Sequence, residues 1–153
     1  MPSKDPHIEN ALQLIAFRSR AGAYQVDNPF FTSCFKEAVI VLAECMRRAE
    51  SNEDICELTS VGKLSGEEVR LTDLLIQLRN AAGHTFSGQN NLSGDYVSWN
   101  VFAGVTGGIL IQDMEVTNPF DDDVLIQVGE KTIFLKRDFS RAFQWLARIY
   151  LAS

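Results

Sequence analysis

Four segments of the chain carry apolar residues every three or four positions, which is the spacing of amphipathic helices. The first begins at Asp5-Pro6, where a capping side chain precedes proline at the first helical position, and can end at Ala21-Gly22. The second follows the same signal at Asn28-Pro29 and runs to Arg47-Arg48. Because its middle is apolar on almost all sides, the pattern predicts that this is the central helix of the fold.

The third helical segment follows a polar stretch, residues 51–64, which is typical of a solvated loop or a short helical turn. Ser65-Gly66-Glu67-Glu68 matches a capping box, in which the serine accepts from the backbone and Glu68 reaches back. The pattern therefore predicts one helix over residues 65–82, packed against the second helix, and Gly83 is placed to end it. The expected buried face comprises Leu71, Leu74, Leu75, Leu78 and Ala82.

Residues 87–136 have the composition of turns and strands rather than of helices. Residues 96–102 and 108–112 are rich in β-branched and aromatic side chains, and a glycine-containing stretch over 104–107 joins them. The best hairpin signal is Gly129-Glu130, which is flanked by strand-like residues 124–128 and 132–135. The sequence thus predicts that strands are confined to roughly 95–136.

The fourth helical segment begins near Asp138 and runs to Leu151. A chain of 153 residues without repeats or linkers favours a single domain over residues 1–153. We predict an α+β fold that is predominantly helical. It is a helical bundle with a small antiparallel β-sheet, inserted at about 87–136, between the third and last long helices.

Composition and charge narrow the possible functions. A net charge of −6 and a pI near 4.9 argue against tight non-specific binding to nucleic acid, which depends largely on Lys and Arg. No apolar run approaches the roughly 20 residues of a membrane span. The N-terminus lacks the apolar core of a signal peptide, so a cytoplasmic location without membrane association is expected. Three cysteines without metal-site spacing do not indicate a disulfide framework.

A permanent cation, an amide and an imidazole occur together at the end of the third helical segment, as Arg79, Asn80 and His84. On an uninterrupted helix Arg79 and His84 would lie roughly 140° apart, and a turn at Gly83 would bring His84 back towards Arg79. A purely structural interpretation is also open. In it, Arg79 stabilises the helix C-terminus, Asn80 is solvated and His84 is an ordinary loop residue.

The segment Arg79-Asn80-Ala81-Ala82-Gly83-His84 resembles the signature of HEPN (higher eukaryotes and prokaryotes nucleotide-binding) domains: an arginine, a polar residue, a few spacers and a histidine. The resemblance covers these six residues and the helices around them. It implies a metal-independent endoribonuclease without a cofactor, acting on RNA as a homodimer in which two motifs face one another. Arg79 would hold the scissile phosphate, His84 would act as general base or acid, and Asn80 would orient either the phosphate or the histidine.

His84 is the imidazole assigned to this chemistry, because His7, the other histidine, lies near a terminus that is expected to fray. A different class of function remains open. The chain would then be a non-catalytic HEPN-like protein, or another helical interaction module, that binds an antitoxin or a component of a defence system. The acidic charge suits this alternative as well as it suits an enzyme.

Two further charged groups have competing interpretations. Asp121, Asp122 and Asp123 resemble a metal cluster superficially, but consecutive carboxylates point in different directions, so a solvated turn is favoured and no metal site is predicted.

Arg137, Arg141 and Arg148 share one face of the last helix. They form either a phosphate-contacting stripe or the solvated side of the helix, and the second interpretation is favoured.

Overall fold

The structure is a computed structural model that describes residues 5–83, 91–92, 95–96, 98–111 and 114–151. Its α-helices are α1 (Pro6–Arg20), α2 (Phe31–Ser51), α3 (Leu71–Gly83) and α4 (Arg141–Tyr150), the last preceded by a π-helical turn, Leu135–Ser140. Its strands are β1 (Thr59–Leu64), β2 (Glu67–Arg70), β3 (Asn91–Leu92), β4 (Asp95–Tyr96), β5 (Trp99–Ala103), β6 (Thr106–Ile111), β7 (Met114–Asn118), β8 (Val124–Val128) and β9 (Lys131–Phe134).

Five of the strands form one antiparallel sheet in the order β2-β1-β9-β8-β5. The hairpins β1–β2 and β8–β9 supply four of them, and β5 pairs with β8 at the far edge. Strands β6 and β7 form a separate antiparallel pair, as do β3 and β4. The described part of the chain is therefore an α+β fold in which a sheet of five strands is a principal layer.

The prediction of a predominantly helical bundle with a small inserted sheet is wrong. β1 and β2 precede α3 and join the main sheet, so strands are not confined to roughly 95–136. The sheet also shares the main core with the helices, since Ile126, Val128 and Ile133 are buried in the same cluster as the helical leucines. The pairing of β1 with β9 cannot be predicted from local sequence, because it joins Leu64 to Lys131, which are far apart in the chain.

The predicted helix over residues 65–82 is wrong in its first residues. Ser65 and Gly66 have φ angles of 51° and 82°, and two positive φ values in succession are typical of a type I′ hairpin turn. Glu67–Arg70 is then a strand, and the helix begins only at Leu71. A capping box is a purely local signal. Cross-strand pairing of residues 67–70 with β1, which replaces the predicted loop over 59–64, decides the structure instead.

Other local signals are confirmed. Asp5 caps α1 by accepting the backbone N–H of His7 at 3.1 Å, and Pro6 is the first helical residue. The hairpin at Gly129-Glu130 joins β8 to β9. The predicted inner face of the third helix is fully buried at Leu71, Leu74, Leu75 and Leu78, whereas Ala82, also expected on that face, is only half-buried.

The main sheet packs on both of its faces. On one face, α3 contacts β1, β2 and β9, and Phe35 of α2 lies against Trp99 of β5. Helix α2 also contacts each of the other three helices. The β6–β7 pair covers part of the other face, where Val116 packs with Leu125 and Phe134 of the sheet. None of the helices within the described ranges is both long and apolar enough to cross a membrane.

Candidate functional site

The end of α3 is held in place by the burial of its apolar face. Leu71, Leu74, Leu75 and Leu78 are all inaccessible to solvent, and they fix α3 against α2. Arg79 and Asn80 directly follow Leu78, at the point where the helix surface turns from the core towards solvent. Because the helix is anchored by four leucines, the backbone that carries Arg79 and Asn80 has a defined position.

Arg79 and Asn80 contact each other. The Nη2 group of Arg79 donates a hydrogen bond to Oδ1 of Asn80 at 3.0 Å. The other terminal nitrogen, Nη1, forms an ion pair with the carboxylate of Glu44 on α2. The structure therefore surrounds the Arg79 guanidinium with two acceptors, Asn80 and Glu44, and the sequence analysis assigned neither of them to it.

Exposure differs between the two partners of this ion pair. The Arg79 side chain is 18% exposed, whereas that of Glu44 is 58% exposed. The guanidinium is thus mostly shielded by its surroundings, while the carboxylate reaches it from the solvent side of α2. Because the carboxylate is accessible to water, which screens its charge, we expect this pair to contribute about 1 kcal/mol or less to stability, so the Arg79–Glu44 contact can be exchanged for another at small cost.

His84, the third predicted site residue, lies outside the described residues. It follows α3 directly after Gly83, the last residue of the helix. The structure therefore brings together Arg79 and Asn80, and the predicted approach of His84 to Arg79 stays a prediction.

The second histidine occupies an ordered position that the sequence analysis missed. His7 is in the first turn of α1, whose capping residue Asp5 is tied to α2 by Arg48 and Asn52. The Asp5-Pro6 signal predicted the helix that contains His7, but not the ties of Asp5 to Arg48 and Asn52 that anchor its first turn. His7 lines a cavity of about 780 Å³ that it shares with α2 side chains.

This cavity extends along one face of α2 and includes Glu44, the residue that holds Arg79. Its floor is apolar, with Ile8 and Ile40 among the lining residues, and its rim is polar. Glu44, Arg48 and Ser51 recur on the rim at intervals of four and three residues, which places them in one row along the helix. A ligand group at Arg79 would therefore lie near a groove that offers further polar side chains.

Two of the three arginines predicted to share one face of the last helix, Arg137 and Arg141, have structural partners. Arg137 bonds to Asp122 at 2.9 Å and to Asp123 at 3.1 Å, and it lies 3.7 Å from the ring centroid of Phe120. Arg141 donates to the carbonyl of Thr59 in β1. Because these two cations hold loops and strands together, they do not support the interpretation as a phosphate-contacting stripe.

The aspartates of residues 121–123 are likewise engaged in the fold. The carboxylate of Asp123 is buried and accepts the backbone N–H groups of Lys136 and Arg137 at 2.8 and 3.0 Å. The predicted solvated turn is therefore only partly correct, since Asp123 fixes the start of the π-helical turn. Among the described residues, no group of three or more His, Cys, Asp or Glu side chains is placed to hold a metal ion.

A second buried carboxylate, Asp138, fastens β1 to the π-helical turn. It accepts the backbone N–H groups of Val61, Gly62 and Phe134 at 2.6, 2.7 and 2.9 Å. Burial raises the pKa of Asp138 although these three hydrogen bonds favour the ionised form. Because Asp138 is buried and accepts three backbone donors from β1 and β9, its role is structural.

Comparison with known proteins gives no relative for this chain: no family model matches it, and neither does any curated protein or solved structure.

Proposed function

We propose that the protein is a HEPN-type endoribonuclease that cleaves RNA by attack of the ribose 2′-hydroxyl. The observation that supports this most is the contact of Arg79 with Asn80 at the end of α3, at 3.0 Å. Arginine suits this role because its planar array of N–H donors matches the oxygens of a phosphate. His84 belongs to the same six-residue motif and supplies the imidazole.

In the proposed reaction, neutral His84 accepts the proton of the 2′-hydroxyl while the 2′ oxygen attacks phosphorus. The bond from phosphorus to the 5′ oxygen breaks, and that oxygen takes a proton from a protonated imidazole. The products are a 2′,3′-cyclic phosphate and a free 5′-hydroxyl. Arg79 stabilises the charge that develops on the phosphate oxygens, and Asn80 keeps the guanidinium oriented.

This scheme uses one imidazole as base and another as acid, whereas each motif supplies only one. We therefore propose a homodimer with the ends of its two α3 helices near the two-fold axis, so that both His84 side chains serve one site. In this account the protein acts as a toxin or defence protein, and an antitoxin is the protein partner to be expected.

One observation favours a second candidate, a non-catalytic interaction module. Arg79 already has an anionic partner in Glu44, as an arginine with a purely structural role would have. In this second account the Arg79–Glu44 pair joins α3 to α2, and the acidic surface binds a protein partner instead of RNA. The two accounts differ in whether replacing an imidazole abolishes a measurable reaction.

The test compares wild type with His84→Ala on the same single-stranded RNA in excess chelator. We expect wild type to cleave, and His84→Ala to lose cleavage while circular dichroism shows the fold retained. His7→Ala is the matched variant, because it removes the other imidazole of the chain. Loss of cleavage in His7→Ala but not in His84→Ala would move the reaction to the α2 groove. Equal activity in wild type, His84→Ala and His7→Ala, or none in any of the three, would favour the interaction module.

A further inference from the structure

Glu44 and Arg79 form an ion pair between α2 and α3 that the sequence did not indicate. The two residues are 35 positions apart, and only the packing of α3 on α2 brings them together. The carboxylate of Glu44 pairs with Nη1 of the guanidinium, and Oδ1 of Asn80 accepts a hydrogen bond from Nη2 at 3.0 Å. Both terminal nitrogens of Arg79 therefore already have an acceptor in the free protein.

A carboxylate and a phosphate compete for the same donors of a guanidinium. Both present oxygens at the spacing of the N–H fork, and both carry negative charge. The carboxylate of Glu44 lies where a phosphate would bind to Arg79, and its negative charge would repel an approaching phosphate. High affinity for a phosphate therefore requires that Glu44 leave the guanidinium.

The surroundings of Glu44 allow this exchange. Its side chain is 58% exposed, so the carboxylate can turn into water without being buried unpaired. An ion pair whose carboxylate is this exposed to water is expected to shift an equilibrium by about fivefold at most. The contact is thus strong enough to lower the affinity of Arg79 for an anion and weak enough to be displaced by one.

We propose that Glu44 sets the phosphate affinity of Arg79 by occupying its guanidinium until a phosphate group displaces it. This deepens the proposed function, on which it rests for the identity of the ligand. Glu44 selects for ligands that offer more contacts than a single phosphate, such as an RNA chain that also reaches the neighbouring α2 groove. It also keeps the cation neutralised in the absence of RNA.

The test measures binding of uridine 3′-monophosphate by NMR titration of wild type, Glu44→Gln and Glu37→Gln. Glu37 is the matched control, since it is also on α2 and 55% exposed, but pairs with Arg18 at 2.8 Å. We expect Glu44→Gln to bind about fivefold more tightly than wild type, the factor that corresponds to about 1 kcal/mol. Glu37→Gln should bind like wild type. Equal or weaker binding by Glu44→Gln, or an equal gain in both variants, would overturn the proposal.

A second background shows whether Glu44 acts through Arg79. In the Arg79→Met variant, replacing Glu44 by Gln should give no gain in affinity. A gain as large as the one that Glu44→Gln gives in the presence of Arg79 would contradict the proposal. The outcome is separable from the proposed reaction. If Glu44→Gln gains affinity but no variant cleaves RNA, the role proposed for Glu44 is supported and the proposed ribonuclease activity is rejected. If wild type cleaves RNA but Glu44→Gln gains no affinity, the ribonuclease activity is supported and the role proposed for Glu44 is rejected.

Discussion

Asp5 joins the start of α1 to the end of α2 through a single carboxylate. It accepts the N–H of His7, and it also accepts hydrogen bonds from Arg48 and Asn52. Burial acts to raise the pKa of Asp5, but the hydrogen bonds from Asn52, Arg48 and the His7 backbone outweigh it and lower the pKa to about 2. The folded state therefore favours the ionised carboxylate, and this interaction keeps His7 in a helix.

The pH dependence of this interaction is predictable in sign. Because the pKa of Asp5 is about 2 in the folded protein and 3.8 ordinarily, its contribution is complete above the ordinary value and is lost as pH falls towards 2. We expect Asp5→Asn to lower the free energy of unfolding at neutral pH by about 1 kcal/mol, through loss of a charge-assisted hydrogen bond. Urea unfolding should show this difference shrinking below about pH 4. A difference that stays constant down to about pH 3 would contradict the assignment.

At the scale of elements, the β1–β2 hairpin is where the sequence and the structure differ most, and Gly66 separates the two interpretations. In a helix, replacing glycine by alanine stabilises by about 0.5–1 kcal/mol. In the structure Gly66 has a φ of 82°, and a Cβ there would meet no atom within 4 Å, so only backbone strain acts. We expect Gly66→Ala to destabilise by about 1–2 kcal/mol. Urea unfolding gives the sign of the change in the free energy of unfolding. Stabilisation by Gly66→Ala would contradict the hairpin and favour the helix predicted for residues 65–82.

The elements that were predicted correctly carry their information locally. Asp5-Pro6 starts α1, four leucines define the buried face of α3, and Gly129-Glu130 closes the β8–β9 hairpin. The strands β1, β2, β3 and β7 were missed because polar or short stretches become strands only through partners that other parts of the chain provide.

The same distinction applies to the candidate site. Arg79 and Asn80 are adjacent in the sequence, so a short motif is enough to place them together. Glu44 was not, because its contact with Arg79 depends on how two helices pack. The position of His7 depends likewise on long-range contacts, because Arg48 and Asn52 anchor its capping residue Asp5.

At the scale of the whole molecule, the proposed reaction requires two chains. The net charge of −6 disfavours association of two copies through their acidic surfaces, so the contact has to form where cations or apolar groups dominate. We expect sedimentation velocity to show a dimer at micromolar concentration, and His84→Ala to sediment in the same way. A monomer at that concentration would contradict a site that draws one imidazole from each chain.

The central claim is that this protein cleaves RNA by attack of the ribose 2′-hydroxyl. The most direct measurement incubates wild type, in excess chelator, with a single-stranded RNA and with the same sequence carrying 2′-deoxyribose throughout. The account predicts that only the RNA is cleaved, and that mass spectrometry finds 2′,3′-cyclic phosphate and 5′-hydroxyl ends. Cleavage of both strands, or RNA products that end in 5′-phosphate, would contradict it.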